Sequence, residues 1–338
     1  GGDFTAVSGL PQTRIARLND ADGSVDSTFS SSADNRVRVI AEDVDGNIVI
    51  GGQFTSVNTV PRTRIARMNS QGALDAAFSP SFNNNIYSIS HQPDGKYIVG
   101  TAATIINGQA RNRIVRLMPD GSTDAGFSAG ANNTVYDVDV LENGDILAVG
   151  DFTQMNGQAR SRIALLRTDG LLSPDFAPSA NALVFRSVIQ RDGNILINGN
   201  FSMINGANRS YVARLASSGA LDNITSIQLD ESVYALINEP DGGIRIGGAF
   251  TTLDGQSHPA LARLTPTASV DSAFTPTVTG AVYSLLATPD ERLLVDSGSS
   301  DDTLKIATAH GCRILHKPFA GYGPQKQWAI ERATHRYV

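Results

Sequence analysis

Through residue 295 the chain consists of short apolar runs separated by polar turns, and the apolar spacing never settles into a helical period. The runs recur in a fixed order. First comes V-[YF]-x-x, at Val135-Tyr136, Val184-Phe185, Val233-Tyr234 and Val282-Tyr283, with Ile86-Tyr87 a close variant. A turn follows at Asp45-Gly46, Asp94-Gly95, Asn143-Gly144, Asp192-Gly193 or Asp241-Gly242; these pairs tolerate positive φ and suit a two-residue hairpin. Next is a glycine-phenylalanine run such as "NIVIGGQFT" from Asn47, then a second turn at Asn107-Gly108, Asn156-Gly157 or Asn205-Gly206, which leads into R-I-A-R-L. A D-x-x-F segment closes the unit, with Asp26/Phe29, Asp75/Phe78, Asp124/Phe127 and Asp271/Phe274; in the fourth copy Asp175 directly precedes Phe176. Aligned on Gly2, Gly52, Gly100, Gly150, Gly199 and Gly248, the copies are spaced by 50, 48, 50, 49 and 49 residues.

Four short runs per unit, repeated at this period without a helix, predict an all-β fold: a six-bladed β-propeller of about 49-residue four-stranded repeats over residues 1–295. The chain begins within one blade and the repeats end within another, so the ring is expected to close by pairing strands in 282–295 with those in 1–18, which would remove exposed edges. Ten of the thirteen phenylalanines lie in the glycine run or the D-x-x-F segment, and they read as packing between blades rather than as a binding platform. Arg17, Arg67, Arg116, Arg214 and Arg263 hold one position, with Asp26, Asp75, Asp124, Asp222 and Asp271 eight or nine residues later. That recurrence predicts a charge-assisted pair tying third strand to fourth, against the alternative of a ligand-binding ring of arginines.

Composition narrows the function. A net charge of −6 argues against a nucleic-acid partner, which would need a basic face for the phosphates. No apolar run approaches the roughly eighteen residues of a membrane-spanning helix. A lone cysteine, Cys312, excludes an internal disulfide framework and a cysteine-based zinc site. His91 and His258 fall at unrelated positions of different copies and are expected as ordinary loop or surface residues; no catalytic residue, cofactor or metal site is expected in the repeats. "NDADGSVD" from Asn19 has alternating oxygen ligands but no closing glutamate, so it reads as a turn rather than a calcium loop.

The ordered signals G-x-F-T, N-G, R-I-A-R-L and D-G resemble the delta-60 repeat of bacterial secreted and surface proteins over residues 1–295. That resemblance implies a binding or scaffold module, extracellular or at the cell surface, with an unknown ligand, protein or glycan, on a propeller face. Residues 296–338 follow different rules. They hold three of the four lysines, three of the five histidines and the only tryptophan, and carry +2 against −8 for residues 1–295. "DDTLKIATAHG" reads as a helix, "CRILHKP" as a strand and "PQKQWAIERA" as a second helix, a short α/β segment. "LLVDSGSSDDTLKIA" and "ILHKPFAGYGPQKQWAIERATHRYV" are similar to two ordered motifs of family 2 glycosyltransferases with the GT-A fold, of the lipopolysaccharide-core branch. The resemblance implies nucleotide-sugar contacts at Asp296 and Ser297. The family's first strand and its acidic metal-binding motif are missing, so an incomplete and inactive transferase segment is expected; the alternative is a fragment of a cytoplasmic transferase in which the propeller is an accessory domain.

Overall fold

The structure, a computed structural model, describes residues 1–19, 23–222, 227–239, 241–266, 269–276, 278, 280–287 and 293–296, with only the backbone given for 286–287 and 293–296. The expected α/β segment from Ser297 onward lies outside the described residues.

The repeats form five successive three-stranded antiparallel sheets, exemplified by Val37–Glu42, Ile48–Gly52 and Ile65–Met68, in that spatial order. A short fourth strand is added by a single bridge, Met68 to Leu74, and by the Asp75 N–H donating to the Arg67 carbonyl at 2.9 Å. Between second and third strands a small hairpin, Ser56–Val57 with Val60–Pro61, folds back, and its Val57 bridges Ala33 of the segment that leads into the blade.

The two glycines of the second strand have separate reasons. A Cβ on Gly51 would stand 2.6 Å from Ile86 of the next blade, and one on Gly52 would stand 2.2 Å from the Arg36 carbonyl oxygen. The first permits blade-on-blade packing and the second the close approach of the inner strand. Gly1 repeats the first relation, its Cβ position 2.6 Å from Val37, so residues 1–18 precede the first full blade as one blade precedes the next. At the other end Ser284–Ala287 pairs with Leu293–Asp296. The two ends carry the strand types that one blade combines, but no ladder joining Leu293–Asp296 to Ile15–Leu18 is among the described pairings, so the expected closing pair is not seen there.

Two turn types separate the two glycine signals. At Asn107-Gly108 both residues take positive φ, 50° and 74°, the two-residue hairpin expected. At Asp45-Gly46 only Gly46 does, at 78°; Gly46 N–H donates to the Asp43 carbonyl and Asp43 N–H to that of Asn47. This is a three-residue loop, a type I turn closed by a left-handed glycine, so the expected two-residue geometry is corrected here. The Asn of the N-G turn also acts as a bolt: Asn107 Oδ1 accepts from Ser81 N–H at 2.8 Å, and its Nδ2 donates to the Gly121 carbonyl at 3.0 Å.

Register corrects the third copy as well. Thr101, not Gly100, sits opposite Ile86 as Gly52 sits opposite Val37. The spacings become 50, 49, 49, 49 and 49. Thr101 Oγ1 donates to the Asn85 carbonyl at 2.7 Å, the counterpart of the carbonyl that crowds Gly52. With this register Ala103 takes the place of the buried Phe54, and Phe82 takes the place of Ala33. Four clusters hold one phenylalanine and one alanine at this pair of sites: Phe54 with Ala33, Phe152 with Ala131, Phe201 with Ala180, and in the third copy Phe82 with Ala103; in a fifth Phe250 meets Leu229.

The expected Arg–Asp pair is formed in five copies, at 2.8 Å for Arg17–Asp26, 2.6 Å for Arg67–Asp75, 2.8 Å for Arg116–Asp124, 2.6 Å for Arg214–Asp222 and 2.5 Å for Arg263–Asp271. The guanidinium reaches further. Arg67 lies 4.6 Å over the Phe78 ring and donates to the Pro119 carbonyl of the next blade at 2.7 Å. Arg17, Arg116 and Arg214 likewise donate to the Ser70, Thr168 and Pro266 carbonyls of the next blade, while Arg263 pairs with Glu239, Asp241 and Asp271 of its own; with every one of these guanidinium groups engaged inside the protein, the arrangement argues against a ligand-binding ring.

Candidate functional site

The inner strand of each blade carries a β-bulge at its start: register shifts between Val37 and Val39, Ile86 and Ser88, Val135 and Asp137, Val184 and Arg186, and Val233 and Ala235. A bulge inserts one residue and re-aims its side chain. The inserted residues are Arg38, Tyr87, Tyr136, Phe185 and Tyr234, and Tyr283 holds the same repeat position in the last, partial blade. Successive members touch. Tyr87 and Tyr136 are edge-to-face at 5.0 Å between centroids, Tyr136 and Phe185 at 6.0 Å, and Tyr234 stacks on Tyr283 at 5.2 Å with 11° between planes. Arg38 covers the Tyr87 ring at 5.1 Å. Its guanidinium also feels the charge of Arg186, three blades on, so the column forms an arc that curves at the end where the inner strands begin.

These side chains are half-buried, and Tyr283 is 56% exposed. No described hydrogen bond engages the hydroxyls of Tyr87, Tyr136, Tyr234 or Tyr283. Burial pushes the Tyr136 phenol up, as do Tyr87 and Asp151 beside it. For Arg38, burial is the largest influence and lowers its affinity for the proton.

Directly behind the column lies a buried acid. Asp137, 2% exposed, accepts from Ser88 Oγ of the preceding blade at 2.8 Å and from Ser187 N–H of the following blade at 3.0 Å, with Arg186 Nη1 3.3 Å away. Ser187 Oγ donates to Asp139 at 2.7 Å. Three blades are thereby joined behind the aromatic arc. Desolvation raises the Asp137 pKa, opposed chiefly by Arg186. The native state therefore binds a proton here more readily than the unfolded chain, and stability falls as pH rises through the folded pKa. The carboxylates at Asp34, Asp75 and Asp124 titrate low, and hydrogen bonds from Thr251 and Thr252 bring Asp230 to about 2; their contribution is lost only as pH falls below about 4. Buried His91, whose pKa desolvation lowers, acts the other way over the same range, so on acidification from about pH 7 to about pH 4.5 the melting temperature of the wild type is expected to rise relative to that of Asp137→Asn, checked by calorimetry.

Other expected sites fare differently. His91 and His258 are not on the surface but buried, at 8% and 6% exposure; His91 packs its ring against Tyr97 at 5.4 Å, and desolvation lowers its pKa. Among the described residues no group of His, Cys, Asp or Glu is placed to hold a metal, and no helix is long and apolar enough to cross a membrane. In the turn after Asn19, Asp20 to Asp22 lie outside the described residues. Asp296 ends the last described strand opposite Ser284, and Ser297 lies outside. At the far end of the inner strands a recess lined by Gln92, Lys96, Arg116 and Thr168 has its cations engaged, since Lys96 and Arg116 both contact Asp124.

The sequence signal for the aromatic arc was the V-[YF] column itself, which reads first as a strand signature. Only the bulge, invisible in one strand alone, turns its second residue toward the axis.

Comparison with known families supports the fold. The model of the domain of unknown function (DUF5122) beta-propeller matches six times, at residues 1–29, 45–78, 92–127, 141–176, 190–223 and 239–274, together more than half of the chain. The chain belongs to the DUF5122 beta-propeller family. A second model, WD domain, G-beta repeat, matches residues 272–306 and so crosses the boundary expected at 295 and 296. No curated protein matches significantly. Among solved structures, the WD40 beta propeller domain of Doa1 is 15% identical, with 90% of this chain and 98% of that one covered and a TM-score of 0.58. Virginiamycin B lyase from Staphylococcus aureus is 14% identical, covering 77% of each chain, with a TM-score of 0.53. Likeness at this identity concerns the fold, and both are similar to the DUF5122 chain in that respect.

Proposed function

We propose that this protein is a non-enzymatic binding module of a bacterial surface or secreted protein, and that it takes its ligand at the axial mouth ringed by Arg38, Tyr87, Tyr136, Phe185, Tyr234 and Tyr283. The observation that carries this reading is the repeated bulge, which places an aromatic face and an unbonded phenol hydroxyl at one end of the axis in blade after blade. Core packing does not require it: the neighbouring Val135 and Val138 are buried, whereas Tyr136 is not. Aromatic side chains with one apolar face and one polar tip suit binding surfaces because they lose little conformational entropy on contact.

A glycan and peptide array probed with the protein and with Tyr283→Ala and Tyr136→Leu tests the reading. Binding is expected to weaken at least about ten-fold in each variant with the melting temperature of Tyr283→Ala unchanged. Full retention of binding in both variants would remove the mouth as the site.

The stretch V-D-S-G-S-x-D-x-T at Val295 to Thr303 supports a second, separate reading of residues 296–338 as an incomplete glycosyltransferase segment, with Asp296 and Ser297 toward the nucleotide-sugar. Without the acidic metal motif it would lack the positive charge that stabilises a departing nucleoside diphosphate.

A further inference from the structure

Resting on the mouth as the binding surface, the geometry points to an acidic saccharide as the ligand: we propose a uronic-acid-bearing pyranose chain whose carboxylate is received by Arg38. The column has aromatic residues at five positions and a cation at the sixth. Arg38 has no carboxylate partner among the described residues, and its Nε is buried without a hydrogen-bond acceptor. A buried donor left unmatched costs free energy that a ligand oxygen would recover.

The surrounding charges favour an anion. Arg36 pairs with Asp3 at 2.6 Å, Arg186 with Asp137 at 3.3 Å and Arg162 with Asp151 at 3.4 Å, so the nearby carboxylates are already engaged by other guanidinium groups. A carboxylate arriving over Tyr87 meets a planar guanidinium able to hold both of its oxygens. The rest of the arc selects the class of molecule carrying that carboxylate. A pyranose offers C–H faces to stack on Tyr136, Phe185 and Tyr234, and ring hydroxyls to exchange hydrogen bonds with phenols that have no protein partner. An acidic peptide would satisfy Arg38 but would not make systematic use of phenols spaced around the axis.

Calorimetric titration with short oligomers of galacturonate, glucuronate and mannuronate, each also as its methyl ester, decides the matter. The ester keeps the shape and deletes the charge. At least one acid is expected to bind more tightly than about 1 mM, with its ester about ten-fold weaker; Arg38→Gln should abolish the difference between acid and ester. Equal affinity of acid and ester, or an acid preference that survives Arg38→Gln, would overturn the role of Arg38. Neutral oligosaccharides bound in a Tyr136-dependent way would then still support the mouth as the site. If no uronate binds and an acidic peptide does, the saccharide assignment is wrong although the mouth stands; if nothing binds there at all, both fall.

Discussion

Phe82→Ala should destabilise the protein by about 3–5 kcal/mol, and adding Ala103→Phe to the same chain should recover most of that loss. Phe82 is 1% exposed and shares a cluster with Phe78, Ala103 and Ile106. Truncation removes the transfer free energy of a benzyl group and leaves a cavity, because the backbone on both sides is held: Phe82 bridges Ile106, and Asn83 Oδ1 accepts from Thr104 N–H at 2.9 Å. In three other clusters the same space is filled from the opposite side, by Phe54, Phe152 or Phe201 facing an alanine. Ala103→Phe alone should cost about 1–3 kcal/mol through overpacking, as two phenylalanines would occupy one volume. The double variant restores the arrangement of those copies. Urea unfolding of all four proteins gives the coupling energy, and simple additivity of the two losses would show that the sites do not share a volume.

The second large effect is expected at Arg116. Arg116→Leu should cost about 3 kcal/mol, and Arg116→Leu with Asp124→Asn clearly less than the sum of the separate losses. The Arg116 and Asp124 side chains are 10% and 12% exposed, 2.8 Å apart. Arg116 also lies 4.9 Å over Phe127 and donates to the Thr168 carbonyl of the next blade. Leucine would leave Asp124 with the Gly126 N–H at 2.8 Å and Lys96 at 3.4 Å as its remaining partners. Burial opposes ionisation of Asp124, yet the Gly126 N–H and the Arg116 guanidinium hold it below the ordinary carboxylate range. The fourth copy shows the change with its compensation: Leu165 stands at the Arg position, and the acid has moved to Asp175, next to Phe176. Because the pair is largely withdrawn from solvent, the loss measured by thermal unfolding should hardly depend on salt.

Much of this architecture was legible from one chain because each blade repeats its own evidence. Short apolar runs, turn residues and period together pointed to a propeller, and the Arg–Asp recurrence was itself a prediction of contact that the structure bears out in five copies. Turn geometry was less legible. Asp45-Gly46 and Asn107-Gly108 look alike as dipeptides, but the first closes strands one residue further apart, which only hydrogen-bond register reveals. The third copy misled for a related reason, since Gly100 and Thr101 offer a glycine one place early and only the partner strand shows which residue faces Ile86.

The sequence by itself determined the local elements, their order and the residues that clamp one blade to the next, since strand propensity, turn chemistry and charge pairing act over short distances or repeat at a fixed interval. Tertiary structure alone decided what the V-[YF] column does. A bulge exists only between two strands, and an arc of aromatic groups exists only when successive blades turn about a common axis. Tyr87 and Tyr136 are 49 residues apart in the chain and 5.0 Å apart in space. The unmatched Arg38 Nε belongs to the same category, because whether a donor has found an acceptor depends on every segment folded around it.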